Sequence, residues 1–417
     1  MHYAILTYGS RGDVQPFIAL ALGLQKKGHR VTVAAAENFK SFVESYGVDY
    51  FQLQGNMEEL LHTPDAIKML KTGNTFTLLR YLQKAGDQTR PEINEGLLKV
   101  CQQADVLITS TLNLLYVATI AEKLHKKWAM ILPNPPATPT KDFPHPDFDF
   151  LNFPAYNLFT YRLLVFGYWQ LYKKRINAFR VSLGLSPVKK NMLHSSNEAK
   201  VLTLYNFSRH IIEQPRDWEP HFHVTGFFPL PGVSNTDQYT APQELLTWLQ
   251  NGELPVYIGF GSIPVPDPEL LSSILLELLA ETKHRFILCK GWSKLPRLPN
   301  HPNLYVVDQS NHEWLLPKCK AAIHHGGAGT LAAVLKAKIP SIIVSIFGDQ
   351  PMWGKIVAHR KIGSHIPFKK VTAKNLLDAI EKTQALSCRK NAFEIGEKVN
   401  AENGIERAIE HLEAYFA

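Results

Sequence analysis

The sequence predicts an α/β protein built from two doubly wound, Rossmann-like parallel-sheet domains facing a cleft. Three observations predict it. Between residues 3 and 35 a strand, a glycine-rich turn, a helix and a second strand follow one another, a βαβ unit that requires parallel pairing and a right-handed crossover. The same alternation restarts at residue 255. The 417 residues exceed what one hydrophobic core organises, so two domains of about 200 residues each are expected.

Residues 3–7 read as the first strand, 9–13 as its loop, and 15–27 as a helix with Pro16 in its first turn. Further strands are expected at 31–35, 49–53, 106–109 and 128–132. From 133 to 154 the pattern gives way to prolines and aromatics, followed by an aromatic helical stretch over 158–179. The Pro-, Gly- and Ser-containing stretch 230–242 reads as a linker, which closes a first domain over 1–229. In the second domain, 243–388, strands are expected at 255–260, 286–290, 304–307, 321–324 and 341–344, with a helix over 269–281 opened by Asp267 and Pro268. A last helix, within 389–417, is long enough to cross back onto the first domain.

Composition narrows the function. A net charge of +8 suits an anionic partner, but no basic run long enough for a nucleic-acid tail and no nucleic-acid motif is present, so a phosphorylated ligand or an anionic membrane surface is expected and a nucleic acid is not. Cys101, Cys289, Cys319 and Cys388 are few and widely spaced, the usage of a reducing compartment. The N-terminus runs straight into a strand without a signal-peptide core, so a cytoplasmic location is expected.

Four strand-end loops carry the chemistry. His324-His325-Gly326-Gly327-Ala328-Gly329-Thr330 leaves an apolar strand and enters a helix at about Thr330. Its glycines admit a ligand close to the backbone, and the helix start offers unpaired N–H groups to a phosphate. The alternative is a tight turn with core histidines, which the glycine density and terminal threonine disfavour. Phe347-Gly348-Asp349-Gln350-Pro351 follows the next strand, and Asp349 and Gln350 suit sugar hydroxyls, with a helix cap as the alternative. Gly259-Phe260-Gly261-Ser262 is a third loop on the same edge, and Gly9-Ser10-Arg11-Gly12-Asp13 is its counterpart in the first domain. The latter lacks the dinucleotide G-x-G-x-x-G pattern. It places Asp13 where a carboxylate can take a proton.

Together these patches resemble the UDP-glycosyltransferase superfamily of GT-B architecture over nearly the whole chain, in particular sterol glucosyltransferases and the glycosyltransferases of glycopeptide antibiotics. The stretch GSRGDVQP from Gly9 to Pro16 is similar to their N-terminal loop, and HEWLLP from His312 to Pro317 followed by HHGGAGT is similar to their donor-site signature. The resemblance implies that Asp13 is the catalytic base. It also implies that His325, Thr330, Ser262 and the backbone of Gly327 and Gly329 hold the diphosphate, and that Asp349 and Gln350 read the sugar. Val307 stands where plant members carry a base-stacking tryptophan; Trp292 is a candidate replacement, with a core position the alternative.

The expected activity is therefore inverting, metal-independent transfer of a hexose, glucose by preference, from a UDP-sugar to a hydroxyl of a lipophilic small molecule. No cofactor and no metal are expected, since no acidic cluster resembles the D-x-D manganese site of the other major glycosyltransferase fold. An epimerase or sugar-nucleotide-binding protein on the same scaffold is the alternative. The aromatic region containing Phe148, Phe150, Phe153, Phe159, Tyr168 and Trp169 reads either as core or as a wall for the acceptor. Lys173, Lys174 and Arg175 beside it suit transient contact with anionic lipid. His29 and His62, the histidines nearest to Asp13 beyond the N-terminal His2, carry no pattern that assigns them to the site.

Overall fold

A computed structural model describes residues 1–134, 138–230 and 241–417. It divides into two compact units, each with one parallel sheet. Most of the expected linker, residues 231–240, lies outside the described residues.

The first unit comprises Met1–Met57, Gly86–Leu230 and Asn403–Ala417. Its strands are β1 (His2–Leu6), β2 (Arg30–Ala36), β3 (Asp49–Leu53), β4 (Val106–Thr109), β5 (Trp128–Leu132), β6 (Thr203–Tyr205) and β7 (Phe222–Val224), in the order β3-β2-β1-β4-β5-β6-β7. The central strands are continuous apolar runs because helices cover both faces of a doubly wound sheet. Chain direction across the sheet reverses between β1 and β4, where Leu6 pairs with Thr109. The loops at the carboxyl ends of those two strands therefore flank the crevice in which such sheets bind ligands.

The second unit joins residues 58–85 to the described residues from 241 to 402. Its strands are β8 (Val256–Gly259), β9 (Phe286–Cys289), β10 (Leu304–Val307), β11 (Ala321–His324), β12 (Ser341–Ser345) and β13 (Gly363–Pro367), in the order β10-β9-β8-β11-β12-β13. Here the crevice opens between β8 and β11, with Gly259 paired to His324.

Two boundaries differ from the sequence expectation. Residues 58–85, expected in the first domain, belong to the second unit: Leu70 and Leu78, each 2% exposed, join a core with Phe260, Leu275 and Ile346. Two turns of amphipathic helix show which residues are apolar but not which sheet will cover them. The expected last helix is two helices, Leu386–Asn400 and Gly404–Phe416, and the second belongs to the first unit. Gly404 lies against the backbone of Gly226 and Phe227, where a Cβ would fall 2.4 Å from the Phe227 carbonyl oxygen. The final helix then packs on the Arg11–Lys26 helix at Gly23, where a Cβ would come within 2.6 Å of Ile405.

Candidate functional site

The second unit gathers three of the four expected loops at the carboxyl edge of its sheet. His325 follows β11 and is 7% exposed, and its ring lies between two glycine backbones. A Cβ on Gly327 would fall 2.4 Å from its Nε2, and one on Gly261, in the loop after β8, would fall 3.3 Å from its Cε1. At 327 only glycine leaves the ring its place, and at 261 a φ of +61° favours glycine. Its Nδ1 is buried without a hydrogen-bond partner among the described residues. Burial, with a smaller effect of His312, pushes its pKa down to about 4. The imidazole is therefore neutral near pH 7 and has an unmet polar atom, a state that costs about 1–3 kcal/mol unless a ligand meets it.

The neighbouring His324 is different. Its Nδ1 accepts the Gly326 N–H at 3.1 Å, so Nε2–H donates to Ser341 Oγ at 2.7 Å. Burial first, then His325 and His312, holds it well below the usual histidine range. This ring is a satisfied core group that fixes the turn. His312, from the HEWLLP stretch, bonds the buried Tyr257 hydroxyl at 2.9 Å.

The helix after His325 spans Ala328–Lys336, two residues earlier than expected, with Gly327 as N-cap. A glycine cap has no side chain to bond the helix start, so the N–H groups of Ala328, Gly329 and Thr330 face outward together with the positive end of the dipole. Gly329 is exposed and a Cβ there would meet nothing within 4 Å. Thr330 and Ser262 are half-buried. The arrangement is chemically an anion site.

Asp349 is the N-cap of the Gln350–His359 helix, and its Oδ2 accepts the Trp353 indole N–H at 2.9 Å. Gln350 is 4% exposed. Its Oε1 accepts the N–H groups of Ile346 at 2.7 Å and Phe347 at 3.2 Å. The amide oxygen expected to face the sugar is thus engaged in folding its own loop. Trp292 is half-buried and its N–H donates to the Gly261 carbonyl at 2.9 Å. Val307 ends β10 in the same corner, its carbonyl accepting the Lys290 N–H at 2.9 Å.

In the first unit, Gly9 has φ +141° and a Cβ there would lie 2.3 Å from Asp13 Oδ2. Glycine is required for the carboxylate to fold over it. Ser10 caps the Arg11–Lys26 helix, and Asp13 Oδ2 accepts its backbone N–H at 2.7 Å and its hydroxyl at 3.0 Å. This capping box holds the carboxylate oriented at the carboxyl end of β1. Arg11 and Gly12 are exposed; the Arg11 guanidinium lies 4.5 Å over the Phe42 ring and donates to Gln15 Oε1 at 3.0 Å.

The aromatic region is divided between two faces. It forms one helix, Pro154–Ser182, in which Tyr161, Val165, Trp169 and Tyr172 recur at helical spacing and are buried. Trp169, at 3% exposure, belongs to the core and not to a wall. Phe159 (56%), Leu163 and Phe166 (59%) form an exposed stripe, and Phe150 (78%) and Phe153 lie exposed just before the helix. Phe148 and Tyr168 are half-buried, with the Tyr168 ring tilted against Tyr172 at 4.5 Å between centroids. Arg175 forms a bidentate pair with Asp87, both contacts 2.8 Å, so Lys173 and Lys174 are the cations left from the expected basic cluster.

Two residues were not found by sequence reasoning. Asn113 caps the helix after β4, is 0% exposed, and has both amide atoms without a hydrogen-bond partner among the described residues. It stands in the turn after β4, the strand paired with β1, and its signal is a polar strand-end loop. His62 bonds the Trp292 carbonyl across 230 positions of sequence, a contact that no spacing rule reveals.

Comparison with known proteins follows the same division. Residues 3–121 match the glycosyltransferase family 28 N-terminal domain, and residues 273–414 match the erythromycin biosynthesis protein CIII-like C-terminal domain. A sterol 3-beta-glucosyltransferase of Arabidopsis thaliana is 36% identical over 423 residues, covering 98% of this chain and 64% of its own length. A second from the same plant is 35% identical over 419 residues, covering 98% and 67%. The chain thus spans about two thirds of these relatives. Among solved structures, a spinosyn forosaminyltransferase superposes with TM-score 0.69 at 16% identity, covering 100% of this chain and 99% of its own. A Streptomyces glycosyltransferase solved with thymidine diphosphate gives TM-score 0.63 at 17% identity, covering 99% of each chain. At such identities the structural matches show the fold.

Proposed function

The chain belongs to the GT-B glycosyltransferases, in the family of the sterol 3-beta-glucosyltransferases, and on that premise we propose that it transfers a hexose, glucose by preference, from a UDP-sugar to a hydroxyl of a lipophilic small molecule, with inversion and without a metal. The observation that carries this reading is His325: a buried neutral imidazole with an unpaired nitrogen, wedged between Gly261 and Gly327 at the start of an uncapped helix. A diphosphate supplies the anion and the hydrogen-bond partners that this corner lacks. The charge forming on the leaving group is then met by His325, Thr330, Ser262 and the helix start.

Asp13 takes the acceptor proton as the hydroxyl oxygen attacks the anomeric carbon. The bond from that carbon to the diphosphate oxygen breaks and its electron pair leaves with the UDP, while the proton stays on the carboxyl group. One in-line displacement of an α-linked donor yields a β-glycoside. Asp349 and the amide nitrogen of Gln350 face the sugar hydroxyls in this reading, and Trp292 and Val307 line the base. In this reading the acceptor enters on the first unit, where the 138–153 segment comes after β5, two strands from β1. The exposed Phe150, Phe153, Phe159 and Phe166 suit an apolar acceptor taken from a lipid surface that Lys173 and Lys174 attract. No helix among the described residues is long and apolar enough to cross a membrane.

The test is calorimetry with UDP in EDTA, followed by an acceptor competition among a sterol, a flavonoid, a simple sugar and a hydrophilic peptide with UDP-glucose. UDP binding that survives chelation and is weakened about tenfold or more by His325→Ala is expected, with the sterol or flavonoid glycosylated first. Failure of the protein to bind UDP, or preferential glycosylation of the peptide, refutes the reading.

A further inference from the structure

We propose that His62 is a positioning residue of the donor site, clamping the Trp292 turn from a segment that the sequence places in the other half of the chain. The proposal rests on the donor-site reading above. His62 follows the Met57–Leu61 helix, and both of its ring nitrogens meet backbone carbonyl oxygens: Nδ1 lies 2.7 Å from Glu58 O and Nε2 lies 2.8 Å from Trp292 O. Carbonyls only accept, so each contact requires a proton on the nitrogen that faces it; both are made together only by the imidazolium, and the one to Trp292 requires the proton on Nε2.

From Trp292 the contact continues into the site. The Trp292 N–H donates to Gly261 O at 2.9 Å, and Gly261 is the backbone against which the His325 ring rests. Gly291, at φ +51°, allows that approach, since a Cβ there would fall 2.3 Å from Gly261 O. Trp292 therefore has its peptide held at both ends, by His62 at its carbonyl and by Gly261 at its amide. Three contacts connect His62 to the imidazole assigned to the diphosphate, passing through the backbone of the residue assigned to the base.

The segment bearing His62 is itself anchored to the same unit. Thr63 Oγ1 caps the Pro64–Thr72 helix and lies 2.6 Å from the Tyr81 hydroxyl, and Leu70 and Leu78 are buried in the core with Phe260 and Ile346. Gly73, at the end of that helix, approaches the Ile346 carbonyl, where a Cβ would be 3.3 Å away. Ile346 begins the turn that carries Asp349 and Gln350. The 58–85 segment thus touches the backbone of both loops assigned to the ends of the donor, and His62 bonds the backbone of the Trp292 turn directly.

The experiment compares His62→Gln with His62→Asn in the full chain. The Gln amide nitrogen stands as many bonds from the backbone as Nε2 and can reach the Trp292 carbonyl; the shorter Asn can serve the Glu58 carbonyl one turn back but not Trp292. Calorimetric Kd for UDP and KM for donor and acceptor are measured on both and on the parent. We expect His62→Asn to weaken UDP and raise the donor KM about 5- to 10-fold, the scale of one hydrogen bond, with acceptor KM unchanged, and His62→Gln to stay within about twofold of the parent. A structural role alone would lower the melting temperature and the active fraction without this split. Equal UDP affinity in the Asn variant and the parent overturns the inference while leaving the donor site standing. A parent that binds no UDP overturns the donor site itself, and a Gln variant as weak as Asn overturns the role of the Trp292 contact.

Discussion

Lowering the pH from 7.5 to 5.0 should destabilise the second unit through His325, by an amount the structure sets. In the unfolded chain the ring titrates near 6.5; in the fold, burial pushes it down to about 4. Between those values the unfolded state binds more protons, so stability is fully present above about pH 6.5, is lost as the pH falls towards 4, and changes no further below it. The whole gap is worth about 3 kcal/mol, and about 2 kcal/mol of it is gone by pH 5. For a unit of this size that is about 4–8 °C in melting temperature. His324 and other buried histidines add to the loss in the parent, so the quantity to read is the difference between parent and His325→Gln in differential scanning calorimetry at the two pH values. Equal losses in both would show that His325 is not held neutral by its surroundings. A second arm uses UDP: an anion against the ring favours its protonated form, so binding at pH 6 should take up a fraction of a proton, read from heats in buffers of different ionisation enthalpy. No buffer dependence would separate the imidazole from the diphosphate.

Asp13→Asn should lower turnover about 10²- to 10⁴-fold while UDP affinity stays within about twofold; near-normal turnover would reduce Asp13 to its capping role. Gly327→Ala places a methyl 2.4 Å from His325 Nε2 and should weaken UDP at least tenfold, whereas Gly329→Ala, which meets nothing nearby, should leave the melting temperature within about 1 °C because its site is sterically open. Asn113→Ala removes two buried unpaired polar atoms and should keep or raise stability by about 1 kcal/mol while impairing acceptor turnover; unchanged kinetics would make Asn113 a packing residue. Phe159→Ser with Phe166→Ser should raise the KM for a vesicle-borne acceptor severalfold and leave UDP affinity alone, and an unaltered KM would remove the exposed stripe from acceptor delivery.

Much of the fold was legible because parallel strands buried on both faces are short apolar runs, and β4, β5 and β11 begin and end where those runs do. The strand-end loops were legible for a second reason: glycines at Gly9 and Gly327 are demanded by close contacts with Asp13 and His325, so the steric requirement is written into the sequence. Three-residue strands such as β6 and β7 are too short to show a period. The break before Gly404 answers to the backbone at Gly226, far away in the chain. The aromatic helix exposed a limit of composition, since Trp169 and Phe166 are three residues apart and face opposite environments. Gln350 shows another, because an amide suited to a sugar is equally suited to two backbone N–H groups.

The division of the chain between its units has a consequence for how the protein is made and remade. The backbone passes from one unit to the other at 57/58, at 85/86, before 241 and at 402/403, so neither unit is one continuous stretch of polypeptide. On the ribosome residues 58–85 emerge long before β8, and Leu70 and Leu78 wait without their core until more than half of the chain has followed. Severing the gene near residue 230 therefore separates no autonomous modules. The downstream fragment lacks the helices that seal its sheet and the histidine that braces Trp292, and the upstream fragment carries them as an orphaned, greasy insertion. Shuffling donor specificity among such enzymes calls for transplanting 58–85 along with 241–402, and a chimera that exchanges the latter alone inherits a mismatched core.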